Sequence, residues 1–267
     1  MEIKGILFDK DGTLIDFFNV WGPAIRPALR SMLGCIGVTD RPDLEAILMD
    51  RLGCADGHID PEGAIAWKSY AGIACDVRNI LDNERVFAPE EEIRRLLVSC
   101  FYTEVVEKRT SYPSFTNLPE LMAFLEKNGI RIGLATTDTY DSSRHCLDCL
   151  RISDAISFWG TADGELPEKP DGQLIRLAAE RWGVLPEEIA VVGDTPNDMR
   201  FAKNGGAVGI GVLSGTGRLK DLEQCADYIL PSVGQLRDWV EVHTQEKHCS
   251  YDFSIKPGEG RKCHISV

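Results

Sequence analysis

The chain has 267 residues, 43% hydrophobic and 27% charged, enough for one large domain or two smaller ones with their own cores. Its 42 acidic against 29 basic residues leave a net charge of −13, which argues against a nucleic-acid partner and suits a small ligand or a cation gathered by carboxylates. No apolar run reaches membrane-spanning length and no leader pattern precedes the first strand, so a cytoplasmic protein with no membrane partner is expected. The nine cysteines are scattered without framework spacing, which predicts reduced thiols.

Ile3 to Phe8 is short, mostly apolar and β-prone, and predicts a buried strand of an α/β sheet. Phe17 to Arg30, Pro42 to Leu52, Pro61 to Ala74 and Pro89 to Lys108 then read as helices, the last opening on a proline followed by three glutamates. With no strand expected between Asp16 and Arg109, a helical insertion directly after the first strand is the economical arrangement. From Pro119 the pattern alternates. Helices are predicted over Leu118 to Asn128, Leu174 to Trp182 and Pro196 to Asn204, each followed by glycine. Strands are predicted over Ile130 to Thr136, Ala155 to Trp159, Ile189 to Gly193, Ala207 to Val212 and Tyr228 to Leu230. Such alternation predicts a Rossmann-like parallel sheet with helices on both faces. The expected organisation is an α/β core over 1–15 and 110–240, an all-helical cap over 16–109 and a polar tail over 241–267.

The chemistry-bearing residues stand at the predicted strand ends. Asp9 and Asp11 follow the first strand at i and i+2, hence on one side, and Gly12 lets the chain turn away at once. In open α/β sheets that carboxyl edge is where ligands bind. Two carboxylates about 4 Å apart repel by roughly 4 kcal/mol at an effective dielectric near 20, which a solvated turn tolerates. Thr136 and Thr137 end the next strand, where a hydroxyl and backbone amides suit an anion. Lys169 stands in a polar loop and could meet a phosphate as a point charge. Asp194 leaves another buried strand, and Asp198 follows one helical turn later on the same side. Singly, Thr136 also reads as a helix cap, Lys169 as a solvated surface lysine and Asp194 as an N-cap. Jointly they place four acids, a hydroxyl and a lysine at successive strand ends, an oxygen-rich set suited to Mg²⁺.

Asp9-Lys10-Asp11-Gly12-Thr13, Thr136, Lys169 and Gly193-Asp194-x-x-x-Asp198 resemble the four motifs of the haloacid dehalogenase superfamily of phosphohydrolases. The match in order and spacing spans about residues 1 to 240, and the helical insertion resembles the cap of the phosphoglycolate phosphatase-like branch. This chain has Thr137-Asp138 where that branch often has Asn-Lys, and its lysine loop, Lys169-Pro170-Asp171-Gly172, is abbreviated. The resemblance implies a Mg²⁺-dependent phosphatase acting on a small phosphorylated, phosphoglycolate-like metabolite through an aspartyl phosphate. By the same resemblance Asp9 is the nucleophile and Asp11 the general acid and base. Asp9, Asp194 and Asp11 (through its carbonyl) hold the metal, Thr136, Thr137 and Lys169 bind the phosphoryl group, and Asp198 supports the metal's water or Lys169. Two alternatives stand beside it: a β-phosphoglucomutase-like phosphomutase, which usually needs a cap histidine where the insertion offers only His58, and a non-catalytic binding protein on the same scaffold.

Other residues receive structural readings. Cys146 and Cys149 form a Cys-x-x-Cys expected on a buried helix face, because no second pair stands at zinc spacing. His243, His248, Cys249, Cys263 and His264 are read as coil in preference to a soft-metal site, Lys68 as an ordinary helix-surface residue and Ser214-Gly215-Thr216-Gly217 as a structural turn in preference to a flexible loop fringing the pocket. Arg26, Arg30, Arg51 and Arg78 are candidates to read a substrate carboxylate.

Overall fold

Strand β1 (Gly5–Phe8) is buried at all four positions and lies at the centre of a six-stranded, wholly parallel sheet. The structure is a computed structural model that describes residues 2–55, 58–109, 111–164 and 166–244. After β1 come six helices, α1 (Phe17–Val20), α2 (Gly22–Cys35), α3 (Pro42–Arg51), α4 (Ala64–Trp67), α5 (Tyr70–Asn83) and α6 (Glu90–Tyr102), the last continued by a π turn over Thr103–Glu107. The alternating part follows: α7 (Leu118–Lys127), β2 (Arg131–Ala135), α8 (Tyr140–Cys149), β3 (Phe158–Gly160), α9 (Gln173–Trp182), β4 (Ile189–Gly193), α10 (Pro196–Gly205), β5 (Val208–Val212), α11 (Leu219–Leu222), β6 (Tyr228–Leu230) and α12 (Leu236–Thr244).

The strand order is β3-β2-β1-β4-β5-β6. The winding reverses between β1 and β4, which opens a crevice beyond their carboxyl ends. The register pairs Phe8 with Val192, and the Asp9 N–H donates to the Val192 carbonyl at 2.8 Å. Asp9 and Asp194 therefore leave adjacent strands at nearly the same level.

Strand alternation divides the core. Ile6 and Phe8, with Ile132, Leu134, Ala190, Val192 and Ile210, join one cluster that continues through Leu14, Phe17 and Trp21 into the helices after β1. Leu7 and Val191 face the other side, against Ile175, Ala178 and Phe201 of α9 and α10. Truncating a fully buried aromatic such as Phe8 to alanine would cost about 3–5 kcal/mol. Because one cluster joins sheet and insertion, the helices are seated on the core by continuous apolar packing.

Local sequence accounts for most boundaries. The Asn117 side chain accepts from the Glu120 N–H at the start of α7, and Gly183 and Gly206 end α9 and α10 in left-handed conformations at φ 66° and 77°. Several expectations need correction. The helix expected over Phe17 to Arg30 breaks at Trp21, where α1 stops and α2 begins at Gly22 with Pro23 in its first turn. The helix expected over Pro61 to Ala74 is interrupted by extended Lys68 and Ser69, because the Ser69 hydroxyl accepts from the Gly72 N–H and starts a new helix. Residues 236–244 form α12, so the boundary at 240 falls within a helix. His243 lies on it rather than in coil, its ring 4.3 Å from that of Trp239. His248, Cys249, Cys263 and His264 lie outside the described residues. No helix among the described residues is long and apolar enough to cross a membrane, and Cys35, Cys54, Cys75, Cys100, Cys146, Cys149 and Cys225 are free thiols. Cys146 is buried on α8 as expected, whereas Cys149 is exposed.

Candidate active site

Asp9, Asp11, Lys169, Asp194 and Asp198 line one cleft beyond the ends of β1 and β4, together with Thr137, Thr195 and Asn197. Asp9 stands at 7% exposure, Lys169 at 8%, Asp194 and Asp198 at 1% each. Charges this dry need partners. The Lys169 ammonium donates to Asp9 Oδ1 at 2.6 Å and to Asp198 Oδ1 at 2.7 Å. Asp198 Oδ2 accepts from the Thr195 hydroxyl at 2.6 Å and from its N–H at 3.0 Å. Thr195, not Asp194, is the N-cap of α10. Asp198 thereby closes that helix start and aims Lys169 at Asp9.

Asp194 is held differently. Its Oδ2 accepts the Thr216 N–H at 2.7 Å, while its buried Oδ1 has no hydrogen-bond partner among the described residues. One ligand oxygen each from Asp9, Asp194 and Asp198 lies within 4.8 Å of the other two. With both Asp198 oxygens already engaged, the free buried oxygen of Asp194 beside Asp9 is what a hard, oxygen-seeking cation fits. Titration responds to the same crowding. Burial, with the charges of Asp198 and Asp11 adding to it, pushes the Asp9 carboxyl up to about 7 against the pull of Lys169. Burial and the charges of Asp9 and Asp198 raise Asp194 well above the usual carboxyl range. For Lys169 burial works against the charge, but Asp198 and Asp9 outweigh it and raise the ammonium.

The loop after β5 closes this site, a part that its reading as a plain turn missed. The Ser214 hydroxyl donates to the Gly12 carbonyl at 2.8 Å. A Cβ on Gly215 would fall 2.0 Å from Asp194 Oδ2. Gly12 has φ +87°, and a Cβ there would stand 2.6 Å from the same oxygen. Both glycines are dictated by the approach of backbone to carboxylate.

Asp11 borders both this cleft and a second one, walled by Phe17, Trp21, Ile65, Tyr70, Ile73 and Phe101 from the helices after β1. Asp11 Oδ1 accepts from Trp21 Nε1 at 2.5 Å. Its Oδ2 lies 3.1 Å from the ammonium of Lys10, which is itself 2.6 Å from Asp138 Oδ2. Burial raises the Asp11 carboxyl and the Asp138 charge adds to the rise, with Lys10 and Trp21 opposing. Thr137 lines both clefts. Thr136 is buried and lines neither cleft, its hydroxyl accepting from the Asp138 N–H at 3.2 Å and keeping its own proton to donate.

Lys68, expected on an outer helix surface, instead borders the aromatic cleft from the link between α4 and α5, paired with Asp76 at 2.6 Å. The candidate arginines are placed elsewhere. Arg26 and Arg30 pair with Glu45, Arg78 pairs with Glu90, and Arg51 is exposed. No arginine lines either cleft among the described residues. Lys10, Trp21 and Asp138, with Thr195 and Asn197 in the cleft lining, are site residues that sequence reasoning passed over.

The parallel sheet thus carries four carboxylates and one lysine at its switch point. The chain belongs to the haloacid dehalogenase-like hydrolases, whose family model matches residues 3–206. It is 28% identical over 242 residues to a phosphoglycolate phosphatase of Shigella boydii, covering 88% of this chain and 91% of that one. A predicted phosphoglycolate phosphatase from Haemophilus somnus superposes with a TM-score of 0.68 at 18% identity, over 90% of this chain and 98% of that chain. A β-phosphoglucomutase from Clostridium difficile superposes at 0.62, with 18% identity over 92% of this chain and 98% of that chain. The resemblance read from the four motifs and the expected hydrolase class agree with the family assignment.

Proposed function

We propose that this hydrolase is a Mg²⁺-dependent phosphatase of a small phosphorylated metabolite, with 2-phosphoglycolate the first candidate, acting through an aspartyl phosphate. The observation that carries the reading is the placement of Asp9 at the switch point, gripped by Lys169, with Asp11 two residues on facing a walled cleft. An Asp9 oxygen attacks phosphorus, the new O–P bond forms and the ester O–P bond breaks. Asp11 gives its proton to the departing alkoxide, then takes one from the water that opens the aspartyl phosphate. Lys169, the Thr136 hydroxyl and the Thr137 amide meet the phosphoryl oxygens. The carboxylates of Asp9 and Asp194, with the Asp11 carbonyl, would hold Mg²⁺, while Asp198 keeps Lys169 in place. When bound, the cation offsets the negative charge gathered on the phosphoryl group and the carboxylates.

In this reading residues 16–109 act as the cap that excludes water and selects the alcohol, Trp21, Tyr70 and Phe101 supplying its aromatic wall. The phosphomutase alternative is not favoured, because His58 is exposed and lines neither cleft. Phosphate release is to be measured over 2-phosphoglycolate, sugar phosphates, nucleotides, pyrophosphate and an aryl phosphate, with Mg²⁺ and with chelator. The expected result is turnover only with metal, lost in Asp9→Asn. Turnover that survives Asp9→Asn would rule out the covalent route.

A further inference from the structure

We propose that Asp138 is a positioning residue for Asp11, acting through the buried ammonium of Lys10. The inference rests on the phosphatase reading, in which Asp11 is the proton donor. Lys10 is 2% exposed and Asp138 4%, on segments 128 residues apart that meet at 2.6 Å. A lysine sealed this far from water needs carboxylate partners, and it has two, with Asp11 Oδ2 at 3.1 Å.

Asp138 is itself anchored on the first turn of α8. Its Oδ2 accepts the Ser142 hydroxyl at 2.7 Å and its Oδ1 the Thr139 N–H at 2.7 Å. The chain of contacts therefore runs from the start of α8 through Asp138 and Lys10 to one oxygen of Asp11. The other Asp11 oxygen is held by Trp21, from the junction of α1 and α2. Each carboxylate oxygen carries two lone pairs. One on each is thus occupied, and either of the two that remain can carry a transferable proton, on a group that borders both clefts.

Proton transfer requires donor and acceptor within about 2.6–3.2 Å, and misplacement by about 1 Å can cost on the order of 10²-fold. A buried ion pair that merely supported the fold would affect all substrates alike. A pair that aims a general acid affects them by leaving group. An alkoxide needs the Asp11 proton as the O–P bond breaks, whereas p-nitrophenolate departs as a stable anion. The comparison must use kcat/KM, which reports steps up to leaving-group departure, because Asp11 also serves the later hydrolysis of either phosphoenzyme.

The experiment measures kcat/KM for wild type and Asp138→Asn on p-nitrophenyl phosphate and on the best alkyl phosphate of the panel. The expected loss is about 10²-fold on the alkyl ester and at least about tenfold smaller on the aryl ester. Trp21→Phe, which keeps a ring but removes the N–H, is expected to show the same ordering. Equal losses on both esters in Asp138→Asn, or no loss on either, would overturn the proposal. If Asp138→Asn fails to fold, Ser142→Ala loosens the same anchor and decides on the same ratio: an alkyl-to-aryl ratio unchanged from wild type overturns it. Wild-type protein inert on every ester counts against the phosphatase reading itself, while active wild type with uniform losses counts against this inference alone.

Discussion

The ammonium of Lys169 lies 2.6 Å from the Asp9 carboxylate across 160 residues of chain, and it is the cation that makes a nearly dry cluster of aspartates tolerable. Asp198 supports it from the far side at 2.7 Å, so one lysine serves as counter-charge to two carboxylates and, in the proposed function, also meets a phosphoryl oxygen. Breaking a buried pair from one side leaves an uncompensated charge and typically costs about 3–5 kcal/mol. Lys169→Met keeps length and removes the charge. We expect it to lower kcat/KM by at least about 10²-fold and to lower the melting temperature in chelator, with part of that deficit recovered on adding Mg²⁺. A chelator melt equal to wild type would show that Lys169 does not neutralise the cluster.

Stability of the metal-free protein should run opposite to ordinary acid denaturation over part of the pH range. Burial lifts Asp9 from its ordinary 3.8 to about 7, and Asp194 is raised as well. A raised carboxyl binds its proton more tightly folded than unfolded. Its contribution is therefore fully present below the unfolded value near 3.8 and lost as pH rises through about 7. The expected result, in chelator, is a melting temperature that falls between about pH 5 and about pH 8, with a shallower fall in Asp9→Asn. Parallel profiles for the two proteins would contradict it. In the proposed function protons and Mg²⁺ compete for the same oxygens, so the Mg²⁺-induced rise should grow over the same interval.

What the sequence made legible was local. Asp9, Asp194 and Thr136 each follow an apolar strand directly, so a strand-end reading finds them without knowing the neighbours. Asp198 and Thr195 share one helical turn, and their mutual capping is likewise local. Lys169 alone resembles any loop lysine, and it gained weight only jointly with the acids and hydroxyl at the other strand ends. Lys10, Asp138 and Trp21 stayed hidden for physical reasons. Lys10 reads as the outward residue between two inward acids, yet it is among the most buried charges in the chain. Its partner Asp138 is fixed by the packing of β2 beside β1 rather than by spacing. Trp21 reads as a core aromatic of one long helix. Its Nε1 reaches Asp11 from the break between α1 and α2, which the helical period did not reveal.

Gly215 offers a test of the loop that closes over Asp194. A Cβ at this position would fall 2.0 Å from Asp194 Oδ2 and 2.3 Å from Cγ, far inside van der Waals contact, so either the loop or the carboxylate must move. The Thr216 N–H bond at 2.7 Å would go with it. Gly215→Ala is expected to weaken Mg²⁺ binding by about 10–100-fold, the usual effect of disturbing a ligand's support, with activity largely restored at high Mg²⁺. Calorimetric titration of the cation checks this. Unchanged affinity would mean that Asp194 is not held for a metal.

Asp9→Asn tests the crowding itself. Asp9, Asp11, Asp194 and Asp198 border one cleft, and among the described residues only the ammoniums of Lys169 and Lys10 are paired with them. Close like charges cost on the order of a few kcal/mol before screening. The asparagine side chain preserves shape and can still accept from Lys169 through its carbonyl oxygen, so repulsion falls while packing is kept. In chelator, then, Asp9→Asn should melt higher than wild type. In the proposed function Mg²⁺ binds the folded site and not the unfolded chain, so it should raise the melting temperature as its concentration exceeds the dissociation constant. The variant, short of one anionic ligand, should show a smaller rise. Paired melts in chelator and in excess Mg²⁺ decide the matter for both proteins. A variant that melts lower without metal and keeps an undiminished Mg²⁺ shift would mean that Asp9 neither crowds its neighbours nor holds the cation, and the nucleophile assigned to it would have to be sought elsewhere.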